Sequence, residues 1–124
     1  KTGATTRGSV ARLFNGVLLW RIQATTTSDG WQITVGGTST NFTVTTGSWH
    51  FLQTVIDTSN VAVTKVDGTT VQTTGALSAW TGTPYLVLNT SDTVSGGDLL
   101  IDDLRITPGV ARAFAVPTAA FPDF

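Results

Sequence analysis

Hydrophobic and polar residues alternate along most of this chain with a period of two. Residues 31–35 put Trp31, Ile33 and Val35 on one face and Gln32 and Thr34 on the other, the pattern of a half-buried strand. Residues 17–24 do the same, with Leu18, Trp20 and Ile22 on one side and Val17, Leu19 and Arg21 on the other. Residues 41–45 form a short strand carrying Phe42 and Val44 together. In residues 49–57 both faces hold apolar groups: Trp49, Phe51 and Val55 on one, Leu52 and Ile56 with His50 and Thr54 on the other. That predicts a central strand and sends Trp49, like Trp20, into the core. Residues 60–66 and 69–73 flank Asp67-Gly68, the strongest two-residue hairpin signal in the chain. Residues 85–89 and 98–107 supply two further strands.

The punctuation fits. Gly30, Gly36-Gly37, Gly47-Ser48 and Gly96-Gly97 mark turns, residues 75–84 form a longer loop holding Trp80, and Pro108-Gly109 ends the last strand. Residues 110–112 could add a single helical turn, and no segment carries a helical period. Some eight short strands with Gly-rich turns predict an all-β, antiparallel sandwich or barrel. The expected domain is residues 17–112. Residues 1–16, polar and with Gly3 and Gly8, read as an N-terminal arm or linker. Residues 113–124 read as an extended tail broken by prolines and anchored by Phe114, Phe121 and Phe124.

Composition sharpens this picture. A chain of 124 residues is one domain by length. Threonine supplies about a fifth of it, which suits pleated, half-buried surfaces. With no cysteine there is neither a disulfide framework nor a thiolate zinc site. A net charge of −1 gives no basic footprint for nucleic acid. No apolar run approaches the roughly 20 residues of a membrane helix, and the first residues lack the apolar stretch of a signal peptide. A start at Lys1 with no Met anywhere reads as a fragment or processed product.

Candidate chemistry is thin. The one histidine, His50, has Ser48 beside it, but strand neighbours cannot build a Ser-His-Asp triad and no G-x-S-x-G elbow exists. His50 is therefore assigned a structural, hydrogen-bonded place on a sheet face. Asp103 and Arg105 sit two apart on one strand face and are read as a structural ion pair before a ligand patch. Asp102 points to the opposite face from Asp103, so the two cannot serve as one acid–base pair. The candidate contacts for a ligand or partner are aromatic. Trp80 lies in a Gly/Thr loop, Tyr85 follows Pro84, and Trp31 comes straight after a turn. Against them stands the tendency of tryptophan to lie largely buried.

From Trp49 onward the order of features is specific. A Trp-His strand is followed by a strand ending in V-D-G, a loop, the Y-L-V-L strand, a Gly-Gly loop, and then I-D-D-L-R-I-T-P-G-V-A-R with a trailing P-T-A-A-F-P. This resembles the concanavalin A-like lectin and glucanase superfamily in its laminin G-like branch, in versions found as appended domains of bacteriophage structural proteins. The resemblance covers residues 47–122 closely and 17–46 loosely. It implies a concanavalin A-like jelly roll. Family members run longer, with additional strands ahead of the position of Val17; here those strands are expected elsewhere in a longer chain or from a neighbouring subunit. Glucanases of the superfamily use paired glutamates, and this chain has no Glu. Some laminin G-like and pentraxin-like relatives hold calcium on rim loops. The weak candidates here are Asp92 and Asp98, which bracket one loop without the several carboxylates calcium prefers.

The resulting expectation is a non-catalytic module, with no cofactor unless calcium. It would sit on a bacteriophage virion, on a tail fibre or as a capsid-associated or decoration protein. It would bind host-surface glycan or mount on neighbouring virion proteins, as a homo-oligomer, with no nucleic acid and no membrane insertion. The alternative is a secreted bacterial carbohydrate-binding or adhesion domain.

Overall fold

The computed structural model describes residues 8–25, 30–45, 47–91 and 106. They form eight strands and no helix: β1 (Gly8–Phe14), β2 (Leu18–Ala24), β3 (Gly30–Val35), β4 (Thr38–Thr43), β5 (Leu52–Ile56), β6 (Val61–Val66), β7 (Thr69–Ala76) and β8 (Tyr85–Ser91). One sheet runs β4-β3-β2-β1-β8 and the other β5-β6-β7. Every pairing is antiparallel. The chain is all-β, with two sheets packed in a sandwich-like arrangement.

The core follows from the pleat. Cross-strand partners share a face, and the pairs Trp20↔Val35, Ile22↔Ile33 and Ala11↔Ile22 place one row of apolar side chains inward. Ala11, Ile22, Ile33, Val35 and Ala62 form the buried centre, with Trp20, Trp31, Phe42, Leu52, Ile56, Val71, Leu77 and Leu86 packed around it. Ile33 and Val35 are fully buried; burial of such a side chain contributes about 1.5–3 kcal/mol.

Threonines tie the sheets together where aliphatics would be expected. Trp20 Nε1 donates to Thr54 Oγ1 at 2.9 Å, and Thr54 and Thr64 share a hydroxyl hydrogen bond of 2.9 Å. Thr64 is fully buried. A register shift between Val61 and Val63 takes Ala62 out of the β6–β7 ladder, while it stays paired with Ile56 of β5, and its N–H donates to Thr74 Oγ1 at 3.0 Å. Gln72 Nε2 donates to Thr38 O and Thr40 Oγ1, binding β7 to β4. Among the described residues these hydroxyls and amides leave few buried side-chain polar atoms without a partner, as a small core requires.

The predicted turns are well placed. Asp67 and Gly68 both adopt positive φ, 50° and 82°, the geometry of a type I′ hairpin. Gly36 and Gly37 do the same between β3 and β4, at 54° and 83°.

Four expectations are corrected. Residues 8–14 are not part of an arm: they form β1, paired on one side with β2 and on the other with β8. Polar and small residues suffice there because the strand's backbone is satisfied on both flanks and Ala11 fills the core beneath Ile22. Thus a strand ahead of Val17, expected from outside this stretch, comes from the chain itself. Second, the strand predicted over 49–57 shrinks to Leu52–Ile56 and, among the described residues, lies at an edge of its sheet rather than its centre. Third, Trp49 falls outside that strand and is 68% exposed. Fourth, β4 begins at Thr38, three residues earlier than the apolar pattern suggested, because the Gly36-Gly37 turn returns the chain directly into pairing with β3. The predicted strand over 98–107, the turn at 110–112 and the tail lie outside the described residues.

A candidate binding groove beside Trp80

Trp80 lies in the connection between β7 and β8, where Leu77 leaves the ladder and Pro84 ends the segment. Two contacts seat this connection. Leu77 N–H donates to Asn60 O at 2.9 Å. Its side chain packs over Gly36, where an added Cβ would meet Leu77 Cδ2. Gly36 is favoured by its positive φ, and any other residue there would also displace the Leu77 side chain.

The result is an open groove of about 240 Å³ at one end of the two sheets. Asn15 and Val17 come from the β1–β2 turn, Leu18 and Leu19 from β2, and Leu77, Ser78, Trp80 and Thr81 from the connection. Asn15 Nδ2 donates to Thr81 O, clamping the turn to the connection. Asn15 Oδ1 accepts from Val17 N–H at 3.4 Å. Val17 is 63% exposed and Trp80 half-buried. The lining therefore offers an aromatic ring, an amide, two hydroxyls and aliphatic surface. It contains no acid, base or thiol. Such a surface can stack on and hydrogen-bond to a neutral ligand; it cannot transfer a proton.

The other predicted contacts separate. Tyr85 is 52% exposed at the start of β8 and meets Phe14 edge-on, with centroids 5.7 Å apart and planes at 67°. It lies outside the groove lining. Trp31 pairs with Phe42 and packs on the core, so its placement is structural; the strand's alternation outweighs the preceding turn. Asp103, Arg105, Asp92 and Asp98 lie outside the described residues. Among the described residues no cluster of acidic or imidazole groups could hold a metal ion.

His50 does hydrogen-bond structurally, but from the loop ahead of β5 rather than from a sheet face. Nδ1 meets Asp67 Oδ2 at 2.6 Å, and Nε2 meets Thr45 O at 2.7 Å. Asp67 Oδ1 accepts Phe51 N–H at 2.8 Å, and Asp67 N–H donates back to Phe51 O at 2.8 Å. One turn residue thus latches the β6–β7 hairpin to the loop that carries Trp49. A carbonyl oxygen can only accept, so Nε2 carries a proton. The His50 ring is held above its ordinary pKa, first by the Asp67 hydrogen bond and then by the Thr45 carbonyl. For Asp67, burial alone would raise the carboxyl, but the bonds from His50 and Phe51 hold it below its usual range. A catalytic triad needs the second ring nitrogen free for the nucleophile; here Thr45 O occupies it, so His50 is not a poised base.

The sequence did not single out Asn15 or Val17 for this groove. Asn15-Gly16 is a turn pair, and nothing local says that the turn meets a loop some 66 residues further on. No protein-family model, no curated protein and no solved structure matches the chain.

Proposed function

We propose that this chain is a non-catalytic recognition module of concanavalin A-like jelly-roll build, presented on a bacteriophage virion, where it binds host-surface glycan or mounts on neighbouring virion proteins. The observation that carries the recognition reading is the Trp80 groove, a concave site combining an aromatic ring with neutral hydrogen-bonding groups and lacking any titratable side chain. Saccharides present this complement: apolar C–H faces that stack on rings, and hydroxyls that pair with amides. Pockets for small ligands share the pattern of apolar lining with a few placed polar groups. The virion setting is supported by the resemblance of residues 47–122 to phage-borne laminin G-like domains.

The test is binding of the purified chain to a panel of bacterial surface polysaccharides and to a glycan array. A saccharide that binds the parent and loses at least about tenfold in affinity with Trp80→Ala, a cost of about 1.4 kcal/mol, supports the reading. Binding indifferent to Trp80→Ala moves the glycan site elsewhere. Release of reducing sugar from a bound polysaccharide would refute the non-catalytic assignment.

A further inference from the structure

We propose that β4 is a self-pairing edge, through which two copies of this chain join their five-stranded sheets about a two-fold axis at Asn41. The inference stands apart from the glycan reading and uses none of its evidence.

The backbone sets which groups are available. Gly36 and Gly37 form a type I′ turn, so Val35 and Thr38 are a hydrogen-bonded pair. Alternation then makes Ile33↔Thr40 and Trp31↔Phe42 the remaining bonded pairs. The backbone N–H and C=O groups of Ser39, Asn41 and Thr43 consequently point away from β3. Among the described residues no strand pairs with that side of β4, and Ser39, Asn41 and Thr43 are exposed. Natural edges are guarded by lysine, proline, bulges or inward charges. Residues 38–43, Thr-Ser-Thr-Asn-Phe-Thr, contain none of these side chains, and the β3–β4 register runs without a shift.

The side chains favour a second copy over an arbitrary strand. Two polar ladders cross the outer face of the sheet and end on β4. In one, Gln23 Nε2 donates to Gln32 Oε1 at 2.8 Å, and Gln32 Nε2 donates to Asn41 Oδ1 at 2.8 Å. In the other, Arg21 Nη2 donates to Thr34 Oγ1 at 3.4 Å, and Thr34 shares a 2.9 Å hydroxyl bond with Ser39. A two-fold axis at Asn41 sets Asn41 opposite its own copy, and Ser39 opposite Thr43 of that copy. Amide meets amide and hydroxyl meets hydroxyl, so both ladders continue across the junction with no charge brought against its like. On the inner face, Phe42 falls opposite Thr40 of the other copy, where a non-bonded pair brings side chains closest. Phe42 is only half-buried at the end of the core, and this contact covers it.

Engineered cysteines read out the register directly, because the chain has no cysteine of its own. Under mild oxidation Asn41→Cys is expected to give a disulfide-linked dimer. Ser39→Cys and Thr43→Cys, each alone, should stay unlinked, because four residues of stagger separate each from its copy by about 13 Å. Mixing the two should restore a linked dimer. In sedimentation of the unmodified chain, the mass should approach twice 13.0 kDa as concentration rises. Asn41→Lys, which sets two cations face to face, should return it to the monomer with its circular dichroism unchanged. A chain that stays monomeric throughout, a dimer indifferent to Asn41→Lys, or cross-linking of Ser39→Cys alone would overturn the proposal.

Discussion

Two hydrogen-bonded nodes hold the second sheet in place, and they differ mainly in their exposure to water. The inner node runs from the indole of Trp20 through Thr54 to Thr64, with two links of 2.9 Å. The outer one runs from Thr45 through His50 to Asp67 and Phe51, with links of 2.6–2.8 Å. The outer bonds are shorter and one can be charge-assisted, so by geometry alone they would rank stronger. Burial reverses the order. Thr64 is fully buried, whereas the His50 and Asp67 side chains are 24% and 48% exposed. A broken outer bond is replaced by water; a broken inner bond leaves a donor or acceptor with nothing.

The largest effect should therefore come from the inner node. Thr54→Val keeps shape but removes the hydroxyl between Trp20 and Thr64, and should cost about 1–3 kcal/mol, read as a fall in the urea midpoint at constant slope. Adding Thr64→Val should recover part of that loss, since it removes the acceptor and donor left stranded. Equal or greater loss in the double variant would mean that the hydroxyls matter for packing alone.

At the outer node Asp67→Asn is the sharper probe. Asparagine tolerates the positive φ and suits the type I′ turn, so only the charge and its pairing with His50 change. The expected cost is below about 1 kcal/mol, as for exposed pairs. A cost matching that of Thr54→Val would erase the contrast between the nodes.

The smallest effect is a dependence on pH. The folded His50 titrates above its ordinary 6.5. Its contribution is thus complete below 6.5 and disappears as pH climbs through the raised value. Asp67 titrates below its ordinary 3.8, so its contribution is complete above 3.8 and is lost as pH falls through the lowered value. The latch is whole between these limits and weakens toward alkaline pH. The stability difference between the parent and His50→Gln should be larger near about pH 5 than near about pH 9. The inner node has no titrating group, so the difference made by Thr54→Val should stay flat over the same range.

Residues differ in how openly the sequence announces these roles. The alternation of Trp31, Ile33 and Val35 gives an inward row, and both glycines at 36 and 37 declare their turn. β1 was hidden because G-S-V-A-R-L-F carries little apolar rhythm; its place between β2 and β8 comes from backbone pairing with residues more than 70 positions away. Trp49 misled for the opposite reason: its rhythm continues that of β5, yet the His50 latch holds the chain out of the ladder. Trp80 was legible as a loop aromatic. The groove was not, since Asn15, Val17, Leu18 and Leu19 reach it from the β1–β2 turn and β2, and Gly36 from the β3–β4 turn.

Local chemistry in the sequence was enough to set the strand period, the positive-φ turns and the all-β class, because side-chain alternation and backbone sterics act over two to four residues. Which strands became neighbours, which tryptophans were covered and which polar ends met could be decided only by the folded chain. Those outcomes depend on contacts between segments far apart in sequence, and on how much water each contact excludes.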